Sequence, residues 1–275
     1  MTDIDAQAFD EFEAAGWELV ADRYGELLSP ITGQAIEPLL DAAGVRAGMR
    51  VLDVGTGPGD VAAAAVARGA LATGIDIAAA MVELAARHNP DATFVQGSAT
   101  ELPFAEGSFD AAVGNLLILH VGEPEKAAQE LARVIAPGGG VALSTWDAPE
   151  RSPLFGALLG AVADAEALPP SDVPHGPSFF QFGEDDAFRA LLDGAGFADV
   201  EIGSVTLEFR LHSVEELMTL VAEATVRMGA LLRAGDDSQR DRIRESLEQR
   251  ISPWRRGDGY VVPASMKIAA GTKTS

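Results

Sequence analysis

Apolar side chains recur with a helical period over the first part of the chain, up to about Ala43. The segment SPITG, residues 29–33, interrupts this pattern. A second, shorter helix is predicted for QAIEPLLDAAG, which ends at Gly44, because glycine commonly follows the last turn of a helix. The pattern therefore predicts two separate helices before the rest of the fold begins.

From Met49 onward, short apolar runs alternate with segments of helical period. Strands are predicted for the runs MRVLDVG, ALATGID, ATFVQG, FDAAVGNL and GVALSTW. Helices are predicted for the segments GDVAAAAVARG, IAAAMVELAARHN and EPEKAAQELARVIAPGG, the last of which ends through Pro-Gly-Gly. This alternation is typical of an α/β protein with a parallel, doubly wound sheet, which binds ligands at the carboxyl ends of its strands.

After Trp146 the pattern is looser. Helices are predicted for SPLFGALLGAVADAEAL, EDDAFRALLDGAGF, SVEELMTLVAEATVRMGALLRAG and DSQRDRIRESLEQRI. Long strands are predicted for ADVEIGSVTLEFRL and GYVVPASMKIAAG, and the Pro-rich segment PPSDVPHGPSFFQF is predicted to be a loop. The two helices between the last two strands indicate an insertion that covers one side of the sheet.

Charge and composition narrow the range of partners. The 275 residues include 42 acidic and 20 basic side chains, which gives a formal net charge of −22. Such a surface repels phosphate backbones and anionic membranes, so we expect a small-molecule partner, no nucleic acid and no membrane. The acidic N-terminus does not resemble a secretory signal, and we expect a cytoplasmic protein. The sequence does not predict an oligomeric state.

The stretch VLDVGTGPGD, Val51–Asp60, places three glycines directly after a predicted strand. Glycine lacks a Cβ and permits positive φ, so a ligand can approach the backbone at Gly55, Gly57 and Gly59. The turn opens a helix, whose N–H groups and dipole favour a ligand carboxylate. Asp53 can accept a hydrogen bond from a ligand ammonium. An amino-acid headgroup offers both charges at once, and a pyrophosphate does not.

A second acidic residue, Asp76, ends the next predicted strand, 17 residues after Gly59. A carboxylate in this position can accept hydrogen bonds from both hydroxyls of a ribose, and it can also cap the helix that begins near Ala78. The spacing G-x-G-x-G differs from the dinucleotide pattern G-x-G-x-x-G. At this point a dinucleotide, S-adenosylmethionine (SAM) and a tight turn without a ligand all remain open.

Four segments in order, from about Arg50 to Thr145, distinguish among these ligands. They are VLDVGTGPG, GIDIAAAMVELA, FVQGSATELPFAEGSFDAAVGNLLILHV and ELARVIAPGGGVAL. Together they resemble the class I SAM-dependent methyltransferases, in the small-molecule branch related to the menaquinone and ubiquinone C-methyltransferases. The later segment FRALLDGAGFADVEI resembles the same family. The resemblance implies a Rossmann-like, seven-stranded sheet with the last strand inserted antiparallel, SAM as cofactor and S-adenosylhomocysteine (SAH) as product.

The resemblance also implies a division of the chain and a set of contacts to SAM. Residues 1–44 form an N-terminal helical lid, residues 45–147 the SAM-binding core, and residues 148–275 the substrate-side helices and remaining strands of the same domain. The implied SAM contacts are Asp53, Gly55, Thr56, Gly57 and Gly59 at the methionyl end, Asp76 at the ribose, Ile77, Met81, Ser98 and Ala99 at the adenine, and Asn115 and Leu116 beside the sulfonium. Many relatives carry an aspartate where this chain has Ser98, so we expect a weaker adenine contact there.

The candidate catalytic residue is His120, in the segment LILHV after the fourth core strand. It lies where the family often has a polar residue beside the transferable methyl group. An imidazole, with an ordinary pKa of about 6.5, can accept a proton at neutral pH if the acceptor is a phenol or an activated carbon acid. A histidine that caps the loop before GEPEK remains an alternative. No histidine and carboxylate have metal-ligand spacing, so we predict no metal.

Aromatic residues outside the core are the candidate substrate contacts. They are Tyr24, Trp146, Phe179 and Phe180. Each of them can instead be ordinary packing, although the Pro-broken segment SFFQF is hard to accommodate in a core. An aromatic lid suits a planar or hydrophobic acceptor, such as a quinone, a polyketide or a terpenoid, methylated at carbon or oxygen.

Other functions remain open at this stage. The same cofactor residues suit an enzyme of this fold that uses bound SAM for cyclisation or decarboxylation. A non-catalytic binding subunit and an NAD-dependent dehydrogenase are disfavoured, because the glycines and Asp76 are intact and the glycine spacing does not fit a dinucleotide.

Overall fold

The computed structural model describes residues 5–171 and 173–274. Within these residues, an eight-stranded sheet is flanked by helices on both faces. The strands are β1 (Arg50–Val54), β2 (Leu71–Asp76), β3 (Thr93–Gln96), β4 (Phe109–Gly114), β5 (Ile135–Trp146), β6 (Phe197–Leu211), β7 (Arg255–Arg256) and β8 (Gly259–Lys273). The helices are α1 (Ala6–Arg23), α2 (Ser29–Thr32), α3 (Ile36–Ala42), α4 (Asp60–Ala67), α5 (Ala79–His88), α6 (Pro124–Val134), α7 (Pro153–Asp164), α8 (Asp185–Gly194), α9 (Val214–Ala224), α10 (Arg227–Ala234) and α11 (Asp237–Ile251).

The order of the strands fixes where a ligand can bind. The sheet runs β3-β2-β1-β4-β5-β8-β6, with the two-residue strand β7 paired to β8. Strands β1 to β5 are parallel, whereas β8 is antiparallel to both β5 and β6. The class I methyltransferase sheet with an antiparallel last strand is therefore confirmed. Because the strand order reverses between β1 and β4, a crevice opens at their carboxyl ends, which is where such sheets bind ligands.

The N-terminal helices form one nearly continuous run instead of the two separated helices that were predicted. A π-helical turn, Tyr24–Leu28, joins α1 to α2, and a 3₁₀ turn, Gly33–Ala35, joins α2 to α3. The segment SPITG does not break the run, because Pro30 occupies the first turn of α2, where a missing N–H leaves no hydrogen bond unmade.

The boundary between α6 and β5 lies earlier than predicted. The helix ends at Val134, and Ile135 already has extended backbone angles. The Pro-Gly-Gly segment belongs to the strand, where small residues let a neighbour approach closely. A Cβ added at Gly140 would lie 2.3 Å from the carbonyl oxygen of Ala43, which follows α3. The glycine therefore lets the N-terminal helices pack directly on the sheet.

The insertion between β6 and β8 contains three helices, where two were predicted. The segment predicted as one long helix bends after α9, because Thr225 is extended and uses its hydroxyl to hold both sides of the bend. Its Oγ1 donates to the Val221 carbonyl at 2.7 Å and accepts from the Gly229 N–H at 3.0 Å. The bend brings the first residue of α10, Arg227, into the cavity described below.

Three large apolar clusters hold the layers together. One lies between the sheet strands β6 and β8 and the helices α7, α9 and α11, and the other two lie on the two faces of the parallel strands. Helix α1 packs on α5 and α9 and so covers the carboxyl ends of the parallel strands. No helix in the described part of the chain is both long and apolar enough to cross a membrane.

A first prediction concerns the close approach at Gly140. We expect Gly140→Ala to lower the free energy of unfolding by about 1–3 kcal/mol, because the new methyl group overpacks against the Ala43 carbonyl. Gly203→Ala, in β6, is the matched control, since nothing lies within 4 Å of its added Cβ. Urea unfolding followed by circular dichroism measures both variants, and equal midpoints for the two would contradict the packing account.

Candidate active site

A cavity of about 620 Å³ lies at the carboxyl ends of β1, β2 and β4. This volume is in the range of small-molecule sites, about 300–1,000 Å³. Its floor is the glycine turn and the ends of these strands, and its roof is formed by α1, α7, α9, α10 and the Pro-rich loop. Most of the predicted site residues line it: Tyr24, Gly55, Thr56, Gly57, Asp76, Ile77, Met81, Ser98, Ala99, Asn115, Leu116, His120, Trp146, Phe179 and Phe180.

The glycine turn is built from residues with left-handed backbone angles. Gly55, Gly57 and Gly59 have φ values of 67°, 52° and 89°, which side chains of L-residues rarely allow. The N–H groups of Gly55 and Thr56 both donate to the carbonyl of Ile75, at 2.8 and 3.0 Å. The turn is therefore fixed to β2, the neighbouring strand.

Four N–H groups of the turn, which were expected to be available to a ligand carboxylate, donate to acceptors within the protein. Besides Gly55 and Thr56, Gly57 donates to the Asp76 carboxylate at 2.9 Å, and Gly59 donates to the Thr56 carbonyl. The first residue of α4, Asp60, adds a carboxylate to the cavity wall and accepts a hydrogen bond from the Ser29 hydroxyl. The floor therefore presents negative charge to a ligand.

Two of the predicted cofactor residues, Asp53 and Gly59, lie behind the cavity wall. A Cβ added at Gly59 would lie 2.6 Å from the side-chain nitrogen of Asn89, so this glycine serves close packing of the turn. The Asp53 carboxylate accepts hydrogen bonds from the Thr56 hydroxyl at 2.6 Å and from the Ala62 N–H at 3.1 Å. Asp53 thus clamps the turn to the start of α4.

The other oxygen of Asp53, Oδ1, is buried and makes no hydrogen bond with any described residue. Burial raises the pKa of Asp53 to about 7, and the hydrogen bonds from Thr56 and Ala62 oppose this shift. Asp53 is 1% exposed, so removal from water dominates the energetics of its charged form. A positive charge near Asp53 would favour its ionised form.

Asp76 lies on the cavity wall at the end of β2, and its carboxylate is held by the backbone. One oxygen accepts from the Gly57 N–H at 2.9 Å, and the other accepts from the Ala78 N–H at 3.0 Å. Burial raises the pKa of Asp76, and these backbone hydrogen bonds oppose the shift. Since each carboxylate oxygen has a further lone pair, both can still accept from a ligand hydroxyl.

Beyond Asp76, the wall becomes mostly apolar. Ile77, Met81 and Ala99 line it, and Met81 is packed between Ala78 and α1. The hydroxyl of Ser98 lies 2.8 Å from that of Thr100 and accepts from the Thr100 N–H. Ser98 is thus partly engaged within its own turn, in line with the weaker polar contact expected there.

The carboxyl end of β4 has a strained backbone. Leu116 has a φ of 58°, which is rare for a residue with a side chain. Its N–H donates to the hydroxyl of Ser144 at 2.8 Å, and that hydroxyl donates to the side-chain oxygen of Asn115 at 2.7 Å. The Asn115 amide in turn donates to the carbonyl of Thr32, at 3.4 Å. This chain of contacts fixes Asn115 and Leu116 between the sheet and the N-terminal helices.

His120 faces a buried acidic residue. Its Nδ1 lies 2.9 Å from Oε2 of Glu13, a residue of α1 that is 1% exposed. The other oxygen of Glu13, Oε1, lies 3.0 Å from Nε of Arg227. The loop before GEPEK is held by a different group, because the Gly122 N–H donates to Asp10 at 2.7 Å. The structure therefore assigns the loop contact to Asp10 rather than His120.

Aromatic rings form a continuous series from the glycine turn to the far end of the cavity. The ring centroids are 5.4 Å apart for Tyr24 and Trp17, 5.0 Å for Trp17 and His120, and 6.1 Å for His120 and Phe179. We call five of the tryptophan and phenylalanine rings that line the cavity the aromatic roof. They are Trp17, Trp146, Phe155, Phe179 and Phe180. Tyr24 lies against Gly57, and its hydroxyl is 3.3 Å from that of Thr32.

Sequence reasoning missed several residues of this site. Glu13, Trp17 and Thr32 come from the N-terminal helices, and Arg227 comes from α10. In the sequence, Trp17 is one of the apolar residues of a predicted helix and belongs to no motif. A signal for Glu13 was available, because it occupies a buried position in α1, where an acidic residue needs a partner. The described residues contain no group of three or more histidines and carboxylates that could hold a metal ion.

Comparison with known sequences identifies relatives of this chain. Residues 52–143 match the family described as methyltransferase domain. The chain is 32% identical over 212 residues to a demethylmenaquinone methyltransferase of Beutenbergia cavernae, an alignment that covers 72% of this chain and 88% of that protein. It is 31% identical over 170 residues to a demethylmenaquinone methyltransferase of Renibacterium salmoninarum, covering 59% and 72% of the two chains.

Solved structures share the fold at lower identity. The YcgJ protein of Bacillus subtilis superimposes with a TM-score of 0.57 at 21% identity, covering 88% of this chain and 98% of that chain. Phosphoethanolamine N-methyltransferase 2 of Haemonchus contortus, solved in complex with SAH, gives a TM-score of 0.54 at 18% identity, covering 87% and 52% of the two chains. At these identities the likeness shows the common fold.

A prediction about pH dependence follows from the buried carboxyl of Asp53. Its pKa is raised from 3.8 to about 7 in the folded protein. Between about pH 4 and 7, the folded state therefore binds a proton that the unfolded state has lost, so this group lowers stability as pH rises. Relative to Asp53→Asn, the wild type should lose about 2 kcal/mol of unfolding free energy between pH 5.5 and 7.5.

Urea unfolding at several pH values measures this difference. Asp110→Asn is the control, because an ion pair with Arg50 lowers the pKa of Asp110, which stays ionised in both states over this range. Parallel pH profiles for the wild type and Asp53→Asn would contradict the raised pKa.

Proposed function

The chain belongs to the class I SAM-dependent methyltransferases related to the menaquinone and ubiquinone C-methyltransferases, and we propose that it methylates a small, planar, hydrophobic acceptor that carries an ionisable hydroxyl. The methyl group goes to a ring carbon or to the hydroxyl oxygen of a hydroquinone or a similar aromatic compound. The relatives that carry the name demethylmenaquinone methyltransferase support a hydroquinone. The cavity independently supports a compound of this shape and polarity.

The aromatic roof and His120 support the acceptor class, and the carboxylates of the cavity floor support SAM as the methyl donor. Asp60 and Asp76 lie on the wall beside the glycine turn, and Asp53 is buried behind it. Among the described residues that line the cavity, Arg227 is the single arginine or lysine, and it is paired with Glu13. An anionic pyrophosphate is disfavoured by such a floor, whereas the ammonium and sulfonium of SAM are favoured by it.

The residues present fit SAM in three further ways. Asp76 would accept both ribose hydroxyls, because its two oxygens are already oriented by backbone N–H groups. Gly55 and Gly57 would admit the methionyl chain close to the backbone, since neither has a Cβ. The hydroxyl of Tyr24 would donate to the carboxylate of SAM, in place of the turn N–H groups that are engaged elsewhere, whereas the Thr32 hydroxyl already donates to the Ser29 carbonyl.

When bound, SAM supplies an electrophilic methyl group, whose bond to sulfur breaks as its bond to the acceptor forms. The protein's contribution is then to position the acceptor in line and to exclude water. The roof of helices and the Pro-rich loop encloses the cavity for this purpose. The aromatic roof would stack against a planar ring, since offset and edge-on aromatic contacts are favourable.

His120 would act as the general base. It lines the cavity between the glycine turn and the aromatic roof, in contact with Trp17 and near Phe179. Removing a proton from the acceptor hydroxyl makes the oxygen, and the ring carbons conjugated with it, better nucleophiles. This role suits both carbon and oxygen methylation.

Asp76→Ala tests the SAM site. We expect it to weaken SAM binding by about 10- to 100-fold, because it removes hydrogen bonds between ribose hydroxyls and a charged acceptor. Isothermal titration calorimetry measures the affinity, and circular dichroism checks the fold. Asp110→Ala, at the amino end of β4, is the control and should bind SAM as the wild type does. Equal affinity for Asp76→Ala and the wild type would refute the assignment of the ribose site.

His120→Gln tests the base. With 1,4-naphthohydroquinone kept reduced in the assay, we expect the wild type to release SAH and the variant to be about 100-fold slower, with SAM affinity retained. His88→Gln, at the end of α5, is the control and should keep full activity. An active His120→Gln would show that deprotonation does not depend on this residue. A wild type that releases no SAH would contradict the proposed acceptor class.

A further inference from the structure

We infer that Glu13 is a positioning residue for catalysis, which holds the Nδ1–H of His120 and so leaves Nε2 of the imidazole free to take the proton of the acceptor. This inference rests on the proposed function, because it concerns the base of that reaction. Neither the motifs in the sequence nor the relatives' names point to Glu13, which comes from the N-terminal helix α1.

The geometry of the Glu13–His120 pair defines which ring nitrogen bears the proton. Nδ1 of His120 lies 2.9 Å from Oε2 of Glu13, and a carboxylate can only accept a hydrogen bond. A neutral imidazole has one N–H, so the N–H at Nδ1 leaves Nε2 as the acceptor. No described residue makes a hydrogen bond to Nε2, while His120 itself lines the cavity.

Arg227 places a positive charge beside Glu13. Glu13 is 1% exposed, and a buried carboxylate needs a nearby positive charge or hydrogen-bond donors. Nε of Arg227 lies 3.0 Å from Oε1, the oxygen that does not face His120. One oxygen of the carboxylate thus faces the base, and the other faces the guanidinium on α10, with which it forms an ion pair without a hydrogen bond between Oε1 and Nε.

The Arg227 guanidinium is itself immobilised by the protein. It donates to the carbonyl of Leu119 at 2.5 Å and to that of Pro177 at 3.3 Å. It also lies over the rings of Phe9 and Phe179, at 5.2 and 4.7 Å from their centroids. Burial lowers the pKa of Arg227, and the charge of Glu13 opposes that shift. These contacts hold the guanidinium in place beside Glu13.

Packing restricts the imidazole to this orientation. Trp17 meets the His120 ring edge to face, with an interplanar angle of 87°, and Phe179 approaches it at 80°. Two other carboxylates come from elements around His120. Asp10, also on α1, is bonded to the Gly122 N–H, and Asp76, on β2, is bonded to Gly57 and Ala78. Glu13 is therefore the carboxylate that engages the His120 ring.

Proton transfer from the acceptor to His120 accompanies methyl transfer in this arrangement. The O–H bond of the acceptor breaks, and its proton goes to Nε2 of His120. The electron pair left on the acceptor forms the new bond to the methyl carbon, and the electron pair of the methyl–sulfur bond stays on sulfur to give SAH. When a ring carbon is methylated, that carbon then loses its own proton to solvent as the ring becomes aromatic again, and the proton on Nε2 returns to the oxygen. The imidazolium that results has Glu13 at its Nδ1–H, which stabilises its positive charge.

A purely structural role for Glu13 makes different predictions from a positioning role. If Glu13 only paired with Arg227 to fasten α1 to α10, its replacement would change stability and leave the protonation pattern of His120 unchanged. The tautomer of His120 is therefore the decisive observable. It can be measured without any turnover, which separates this inference from the identity of the acceptor.

Nitrogen-15 NMR of histidine-labelled protein saturated with SAH measures that tautomer. The chain has 4 histidines, and His120→Gln identifies the signal of His120 by its loss. At alkaline pH we expect the proton on Nδ1 in the wild type and a substantial population with the proton on Nε2 in Glu13→Gln. Glu18→Gln, on the same helix and bonded to the Ala80 N–H, is the control and should retain the wild-type pattern. A wild type protonated at Nε2, or a Glu13→Gln protein with an unchanged pattern, would overturn the inference.

Kinetics provide the second readout. We expect Glu13→Gln to lower kcat for 1,4-naphthohydroquinone by about 10- to 100-fold with little change in KM for SAM, as is typical when an orienting partner is removed. An unchanged kcat in a protein that turns over this probe would also overturn the inference. If the wild type fails to methylate the probe, the proposed acceptor is wrong, and the NMR result still decides the role of Glu13.

A second variant covers the case in which Glu13→Gln does not fold. Removing Glu13 alone leaves the buried Arg227 charge without its partner, whereas replacing both members of a buried pair by apolar residues is often neutral for stability. The double variant Glu13→Leu with Arg227→Met should therefore fold, and it should lose the preference for Nδ1–H. A double variant that keeps this preference would contradict the role of Glu13 as directly as the single variant.

Discussion

The site depends on two buried carboxylates that hold a glycine turn in a single conformation. Asp53 clamps the turn to the first turn of α4, and Asp76 accepts from the N–H of Gly57 at its centre. Glycine adopts these left-handed angles without steric strain, but fixing it in one conformation costs more backbone entropy than for any other residue, so the turn needs such anchoring. Desolvating these carboxylates costs free energy, which the backbone hydrogen bonds offset only in part. The same charges make the turn complementary to a cationic ligand.

The second constraint is the docking of distant segments over this turn. Helix α1 brings Glu13 and Trp17, and the bend after α9 brings Arg227, which meets Glu13 above His120. The cavity is thus divided by charge. Its floor is anionic and suits the methyl donor, and its far end is aromatic and suits a planar acceptor. His120 lies between the two regions, as its proposed role as the base requires.

The secondary structure and the glycine turn could be predicted from the sequence. The alternation of strands and helices, the glycine turn and Asp76 all depend on neighbouring residues, and the structure has each of them where the pattern indicated. The fate of the turn N–H groups could not be predicted, because their acceptors, Ile75 and Asp76, belong to the next strand. Asp53 was expected to contact the ligand directly, and it lies behind the wall because the turn itself uses its carboxylate.

The contacts between residues far apart in the chain could not be predicted. Glu13 and His120 are separated by 107 residues, and Arg227 and Leu119 by 108, so no periodicity links them. The N-terminal helices continue through SPITG because a π-helical turn and a proline in a first turn are tolerated there, which the pattern of apolar residues does not reveal. A buried acidic residue such as Glu13 is the kind of local inconsistency that marks a functional position.

The central claim is that the anionic glycine turn selects SAM over the dinucleotides that other doubly wound folds bind. Calorimetric titration of the wild-type protein with SAM and, separately, with NAD⁺ tests it most directly. The account predicts saturable one-to-one binding of SAM and no measurable heat with NAD⁺. Binding of NAD⁺ at comparable affinity, or no binding of SAM, would contradict it.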